Sequence, residues 1–109
     1  MIIQGTNNPL IFTFSESMET IADIEISLYV DAAEGSRELK HWTKDEVKIE
    51  DTQITAPLRQ EESVKFPEGK CYIEVKWMND GGRTEFAKTL TNTITKRNDK
   101  TIMEGAALD

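Results

Sequence analysis

Cysteine occurs once, histidine once and proline three times in these 109 residues, and each scarcity narrows what the chain can do. Cys71 has no second cysteine to pair with, so no intrachain disulfide staples the fold, which fits a reducing compartment. One histidine and one cysteine fall short of a tetrahedral zinc set. As a general base, His41 would need an orienting acid and a nucleophile, and in Leu39-Lys-His-Trp42 it reads as a strand surface residue. Cys71 sits on the apolar side of an alternating stretch and reads as a small buried hydrophobe with an unreactive thiol.

Basic residues are missing from the first third. No Lys or Arg precedes Arg37, whereas Glu16, Glu19, Asp23, Glu25, Asp31 and Glu34 do, in a chain of net charge −7. Phosphate would be repelled by such a surface, so no nucleic-acid partner is expected. It reads as a solvated acidic face, or as a dock for a basic partner. Apolar runs extend only a few residues, so no membrane insertion is expected. The opening residues lack the basic-then-apolar pattern of a secretory leader.

Catalytic and ligand motifs are equally scarce. Asp45-Glu46, Glu50-Asp51 and Glu61-Glu62 are adjacent pairs, and neighbours on a strand face opposite ways, which does not build a two-carboxylate centre. Asn79-Asp-Gly-Gly82 reads as a turn rather than a calcium loop, and its glycines lack phosphate-loop spacing. No catalytic residue, cofactor or metal ligand is assigned.

What the chain does have is β pattern. Cys71, Ile73, Val75 and Trp77 alternate with polar residues. The Asn79–Gly82 turn follows, then a run from Arg83 to Thr95 with five threonines from Thr84 onward, and together these read as a β-hairpin. Phe86, Leu90 and Ile94 recur every four residues, a helical spacing that a β-bulge would reconcile with the threonines. Ile24, Ile26, Leu28 and Val30 alternate with Glu25, Ser27, Tyr29 and Asp31, so one face is buried and one wet. Leu39–Trp42 returns as its hairpin partner around Gly35, and Leu10–Phe14 is a further strand.

Met1–Gln4 is a short apolar start, and Ser15–Thr20 a polar connection. Thr43 and Glu46 have capping-box spacing, but the alternation from Val47 favours a plain turn. Gln53–Leu58 is a strand whose end Pro57 places at a sheet edge. Gln60–Val64 is a helical turn or two.

About seven strands separated by regular turns predict an all-β fold, an immunoglobulin-like antiparallel β-sandwich with one short helical turn. The expected sandwich domain covers residues 1–96, with 97–109 a C-terminal tail in which Ile102 and Met103 meet the domain or a neighbour. Candidate partner contacts are Glu16, Glu19, Glu25, Tyr29, Tyr72, Ile102 and Met103. Tyr29, Tyr72 and Trp42 are the aromatics that a sugar- or peptide-binding platform would use.

Taken together, Met1-Ile-Ile-Gln-Gly-Thr6, Trp42-Thr-Lys-Asp-Glu-Val47, Leu58-Arg-Gln-Glu-Glu62 with Phe66, and Asp80-Gly81 before a threonine-rich last strand resemble small proteins encoded in the tail-gene region of phages and prophages of Gram-positive bacteria. Those share a "QGT" start, an "L-x-Q-E-E/D-T-x-x-F" segment and a late "D-G" turn; here Ser63 stands where threonine is more usual. The N-terminal domains of phage baseplate upper proteins are a weaker likeness. The resemblance covers nearly all of residues 1–100 and implies a non-enzymatic virion, tail or baseplate component acting through protein–protein contacts. Its implied partners are other phage structural proteins and copies of itself. It would be made in the bacterial cytoplasm and carried in the virion. A carbohydrate- or cell-surface-binding module is the alternative.

Overall fold

The computed structural model describes residues 1–32, 35–79 and 85–96. The expected tail contacts Ile102 and Met103, and the Asp80-Gly81 turn, lie outside these residues.

Two sheets face each other in an all-β sandwich. The larger holds β1 (Ile2–Ile3), β3 (Asp23–Ala32), β4 (Gly35–Thr43), β7 (Gly69–Met78) and β8 (Glu85–Thr95), in the order β1-β8-β7-β3-β4. The smaller holds β2 (Leu10–Thr13), β5 (Lys48–Glu50) and β6 (Gln53–Ala56), in the order β2-β6-β5. A single helical turn, α1 (Gln60–Ser63), carries the chain from the small sheet to the large one, where the sequence placed it.

Period-2 alternation explains the core. Ile24, Ile26, Leu28 and Val30 of β3 and Cys71, Ile73 and Val75 of β7 point inward, onto Leu10 and Phe12 of β2 and Ile54 and Ala56 of β6. Trp42 of β4 is 1% exposed and donates its indole N–H to the Pro57 carbonyl at 2.8 Å. A buried Trp needs a partner of this kind, because its N–H cannot keep water.

Four expectations are corrected. Ile2–Ile3 is an eighth strand, pairing in parallel with Ile94 and Thr95 of β8. Two residues are too few for periodicity to show. β6 is the central strand of its sheet, not an edge, because Pro57 falls just beyond its last ladder residue. β7 and β8 pair without any register shift, so no bulge is needed: residues four apart share a face in any regular strand, as Leu90 and Ile94 do. The irregularity lies between Leu28 and Tyr29, opposite β4. Lys44–Glu46 forms a 3₁₀ turn rather than a plain turn. The Glu46 carboxylate accepts both the backbone N–H and the hydroxyl of Thr43, each at 3.0 Å.

Candidate functional site

Two of the segments that carry the sequence resemblance, residues 1–6 and 58–66, meet in space. After β1, Gly5 adopts φ +74°, a conformation glycine enters without steric cost, and the chain folds back over α1. Gln4 Nε2 donates to the Phe66 carbonyl at 2.6 Å. Gly5 N–H donates to Ser63 Oγ at 3.1 Å, and that hydroxyl donates to the Thr6 carbonyl at 2.8 Å. The Gln60 N–H donates to Asn7 Oδ1 at 3.0 Å, and Asn8 N–H to the Leu58 carbonyl at 2.8 Å. Asn8 fastens the loop from inside, bonding Ile3 and Thr6. Gln4, Gln60 and Ser63 are three of the four buried polar residues described. Gln4 and Ser63 bond backbone groups across the two segments, so the Gln-Gly-Thr start and the Gln-Glu-Glu-Ser turn form an architectural clamp.

The outward face of the large sheet is different. Strand register lays its side chains in rows. Thr43, Glu25, Lys76 and Ala87 form one, and His41, Ser27, Glu74 and Thr89 the next. Glu38, Tyr29, Tyr72 and Thr91 form the third. Tyr29 and Tyr72 are thus directly opposite each other across β3 and β7. The Tyr72 hydroxyl donates to Asp31 Oδ2 at 3.0 Å, and this bond to the carboxylate pushes the phenol above its ordinary 10.0. Lys70 Nζ lies 5.5 Å from the Tyr72 ring centre.

Beside the tyrosines, His41 joins three side chains. Its Nδ1 is 2.9 Å from Ser27 Oγ and 3.7 Å from a Glu38 oxygen, and its Nε2 is 3.2 Å from Glu25 Oε1. This hydroxyl–imidazole–carboxylate chain has the members of a nucleophilic triad without its surroundings. Ser27 lies on β3, which is laddered to β4 on one side and β7 on the other, so the backbone N–H groups near its hydroxyl serve the sheet rather than a developing oxyanion. The depression lined by Asp23, Ile24, Glu25, Lys76, Trp77 and Met78 holds about 50 Å³. Pockets that take substrate-sized ligands are roughly 300–1,000 Å³. The arrangement suits surface recognition better than acyl transfer.

Register therefore brings Glu25, Tyr29 and Tyr72 onto one face. Glu16 and Glu19 do not join them: both lie on the β2–β3 connection, where Glu19 Oε2 accepts the Asp51 N–H at 2.8 Å and buried Met18 anchors the segment. Trp42 leaves the set of platform aromatics, because it faces the core under the Lys40 ammonium. Sequence reasoning missed Ser27 and Glu38, and placed Asp31 only within the acidic stretch, not beside Tyr72. Ser27 was legible as a polar residue on the wet side of β3, but its pairing with His41 depends on register. Cys71 is fully buried, as its side of the strand implied, and burial pushes its thiol above the ordinary 9.0.

A second surface lies where the sandwich is open. β2 is one of the two outer strands of its sheet, and among the described residues β8 is laddered on its outer side only at Ile94 and Thr95. Between them runs a groove of about 480 Å³ lined by Ile11, Phe12, Phe14, Trp77, Lys88 and Leu90, among others. It adjoins a space of about 460 Å³ that reaches Met1 and Asn92 and shares Ile11, Phe12 and Leu90 with it. On the opposite side, the 3₁₀ turn links β4 to β5 and α1 ion-pairs with β4 through Glu62 and Lys40.

No family model and no curated protein matches the chain. Among the described residues no helix is long and apolar enough to cross a membrane.

Proposed function

We propose that the chain is a non-enzymatic structural protein of a phage particle, tail- or baseplate-associated, that acts through protein–protein contacts. Other phage structural proteins are its partners; it is made in the bacterial cytoplasm and carried in the virion. The observation that carries the contact reading is the gathering of Glu25, Tyr29 and Tyr72 with Asp31, Glu38 and His41 on one outward sheet face. Tyrosines give large contact area at low cost in rotamer freedom. Carboxylates around them select a basic partner patch and reject acidic ones. The virion context is supported by the resemblance of residues 1–6, 42–47 and 58–66 to tail-region proteins.

The test is mass spectrometry of purified particles from a host that carries the gene. Presence at a copy number fixed relative to the major tail component supports the reading, and absence from the particles overturns it. A Tyr29→Ala/Tyr72→Ala double variant, with unchanged circular dichroism, is expected to drop out of the particles.

The cross-strand tyrosine pair also favours a second reading, a carbohydrate- or cell-surface-binding module. A glycan screen decides it: a hit that Tyr29→Ala and Tyr72→Ala both abolish supports this reading, and a hit indifferent to both removes the platform.

A further inference from the structure

On the reading of the outward sheet face as the contact surface, we infer that the partner anchors there through an arginine side chain, its guanidinium flat on the Tyr29 ring and its fork on the Glu38 carboxylate. The fold fills one such seat itself. Tyr72 carries the Lys70 ammonium 5.5 Å from its ring centre, and its hydroxyl donates to Asp31 Oδ2 at 3.0 Å. Ring, cation and carboxylate are there brought together by β3 and β7 alone. Directly opposite Tyr72 stands Tyr29, with Glu38 across from it on β4. This second tyrosine has the ring and the carboxylate, and among the described residues no lysine or arginine lies over it.

Charge sorts the two halves of the face. β7 brings Lys70 and Lys76 to the outward side. β3 and β4 bring Glu25, Asp31 and Glu38 there, and no lysine or arginine. The two basic residues of β4, Arg37 and Lys40, line the groove on the α1 side instead, where Lys40 pairs with Glu62. The Glu25 and Glu38 side chains are 45% and 43% exposed, within reach of a partner. His41 Nδ1 stands 3.7 Å from the Glu38 carboxylate but is already engaged with Ser27 Oγ at 2.9 Å. A cation from outside therefore meets its complement beside Tyr29 rather than beside Tyr72.

Arginine suits this seat better than lysine. A guanidinium is planar and weakly hydrated; it stacks on an aromatic face while its fork meets a carboxylate at two points. An ammonium is a compact point charge and cannot do both in one plane. At the filled seat the two tasks are indeed divided: Lys70 sits over the ring, and Asp31 takes the hydroxyl.

Nuclear magnetic resonance titration of the full chain at low salt tests this, with a glycine–arginine repeat peptide and a glycine–lysine repeat of equal length as probes. The arginine peptide is expected to bind about two- to fivefold more tightly, the factor that an exposed cation–ring contact contributes. Tyr29→Leu and Glu38→Gln, each with unchanged circular dichroism, are expected to bring the two peptides to equal affinity. Tyr72→Leu removes a ring that Lys70 already holds and is expected to leave the preference in place. Equal affinity in the wild type overturns the inference. So does a preference that survives both Tyr29→Leu and Glu38→Gln, or one that is lost only in Tyr72→Leu. The particle assay fails separately: a chain absent from phage particles removes the virion reading while the arginine preference stands, and a chain present in them without that preference removes only the arginine seat.

Discussion

The hydroxyl of Ser63 joins two backbone groups of the amino-terminal loop: it accepts the Gly5 amide at 3.1 Å and donates its own proton to the Thr6 carbonyl at 2.8 Å. Ser63 is fully buried, so its hydroxyl bridges these groups out of reach of water. Ser63→Ala is expected to lower unfolding stability by about 0.5–1.5 kcal/mol, the net worth of a hydrogen bond. Urea unfolding measures it; an unchanged midpoint with an unchanged slope would show that the clamp contributes nothing.

Gly5 supplies the geometry that Ser63 recognises. At φ +74° any side chain meets the left-handed penalty, roughly 1–2 kcal/mol. Gly5→Ala is expected to cost about that much in the same assay. The effects of the two substitutions should fall short of additive in the double variant, because both break one hydrogen-bonded unit.

Acid should loosen the molecule at two specific carboxylates. Two hydrogen bonds from Thr43, N–H and hydroxyl, hold Glu46 below its ordinary 4.5. Burial pushes Glu62 up, but Lys40 and the Arg59 amide outweigh it and leave the group below 4.5. A carboxyl lowered on folding stabilises above its unfolded value, and that contribution disappears as pH falls through the folded one. Stability is therefore expected to decline below about pH 4.5 and to decline less steeply in Glu46→Gln/Glu62→Gln. Thermal unfolding across that range, wild type against double variant, is the measurement.

Tyr72 should respond in the opposite direction. Hydrogen bonding to Asp31, the nearby charge and burial all raise its phenol, so its contribution is present below pH 10.0 and is lost as pH rises through the higher folded value. In a Tyr29→Phe background Tyr72 is the only tyrosine. Its ultraviolet titration is expected to shift down when Asp31→Asn is added. A titration indifferent to Asp31 would mean the bond does not form in solution.

Cys71 should be silent in the native protein. It lies fully buried on β7 with its thiol raised by burial. Reaction with an aromatic disulfide reagent is expected to be slow without denaturant and immediate with it. Rapid native reaction would require β7 to open locally.

Much of this fold was legible because alternation is a local signal. Ile24 to Val30 and Cys71 to Val75 announced both strand and buried side, and Gln60–Ser63 announced a helical turn. What stayed hidden was decided by partners remote in sequence. Ile2–Ile3 is a strand only because Ile94 and Thr95 are there to pair with it. Trp42 is a core residue only because β6 and Pro57 come to lie over it, which no window around residue 42 contains. Likewise Glu25, Tyr29 and Tyr72 could each be placed on a wet face, but their meeting in rows with His41 and Asp31 required the β3–β4 and β3–β7 registers.

The parallel pairing of the first strand with the last also has a kinetic meaning. Ile2 is fully buried, yet its ladder partner is Ile94. Closing that contact means closing nearly the whole chain into a loop, the kind of long-range pairing that slows folding. On a ribosome, the amino-terminal strand and its clamp would wait, unpaired, until β8 had emerged. Completing the large sheet then has to wait for every strand between β1 and β8.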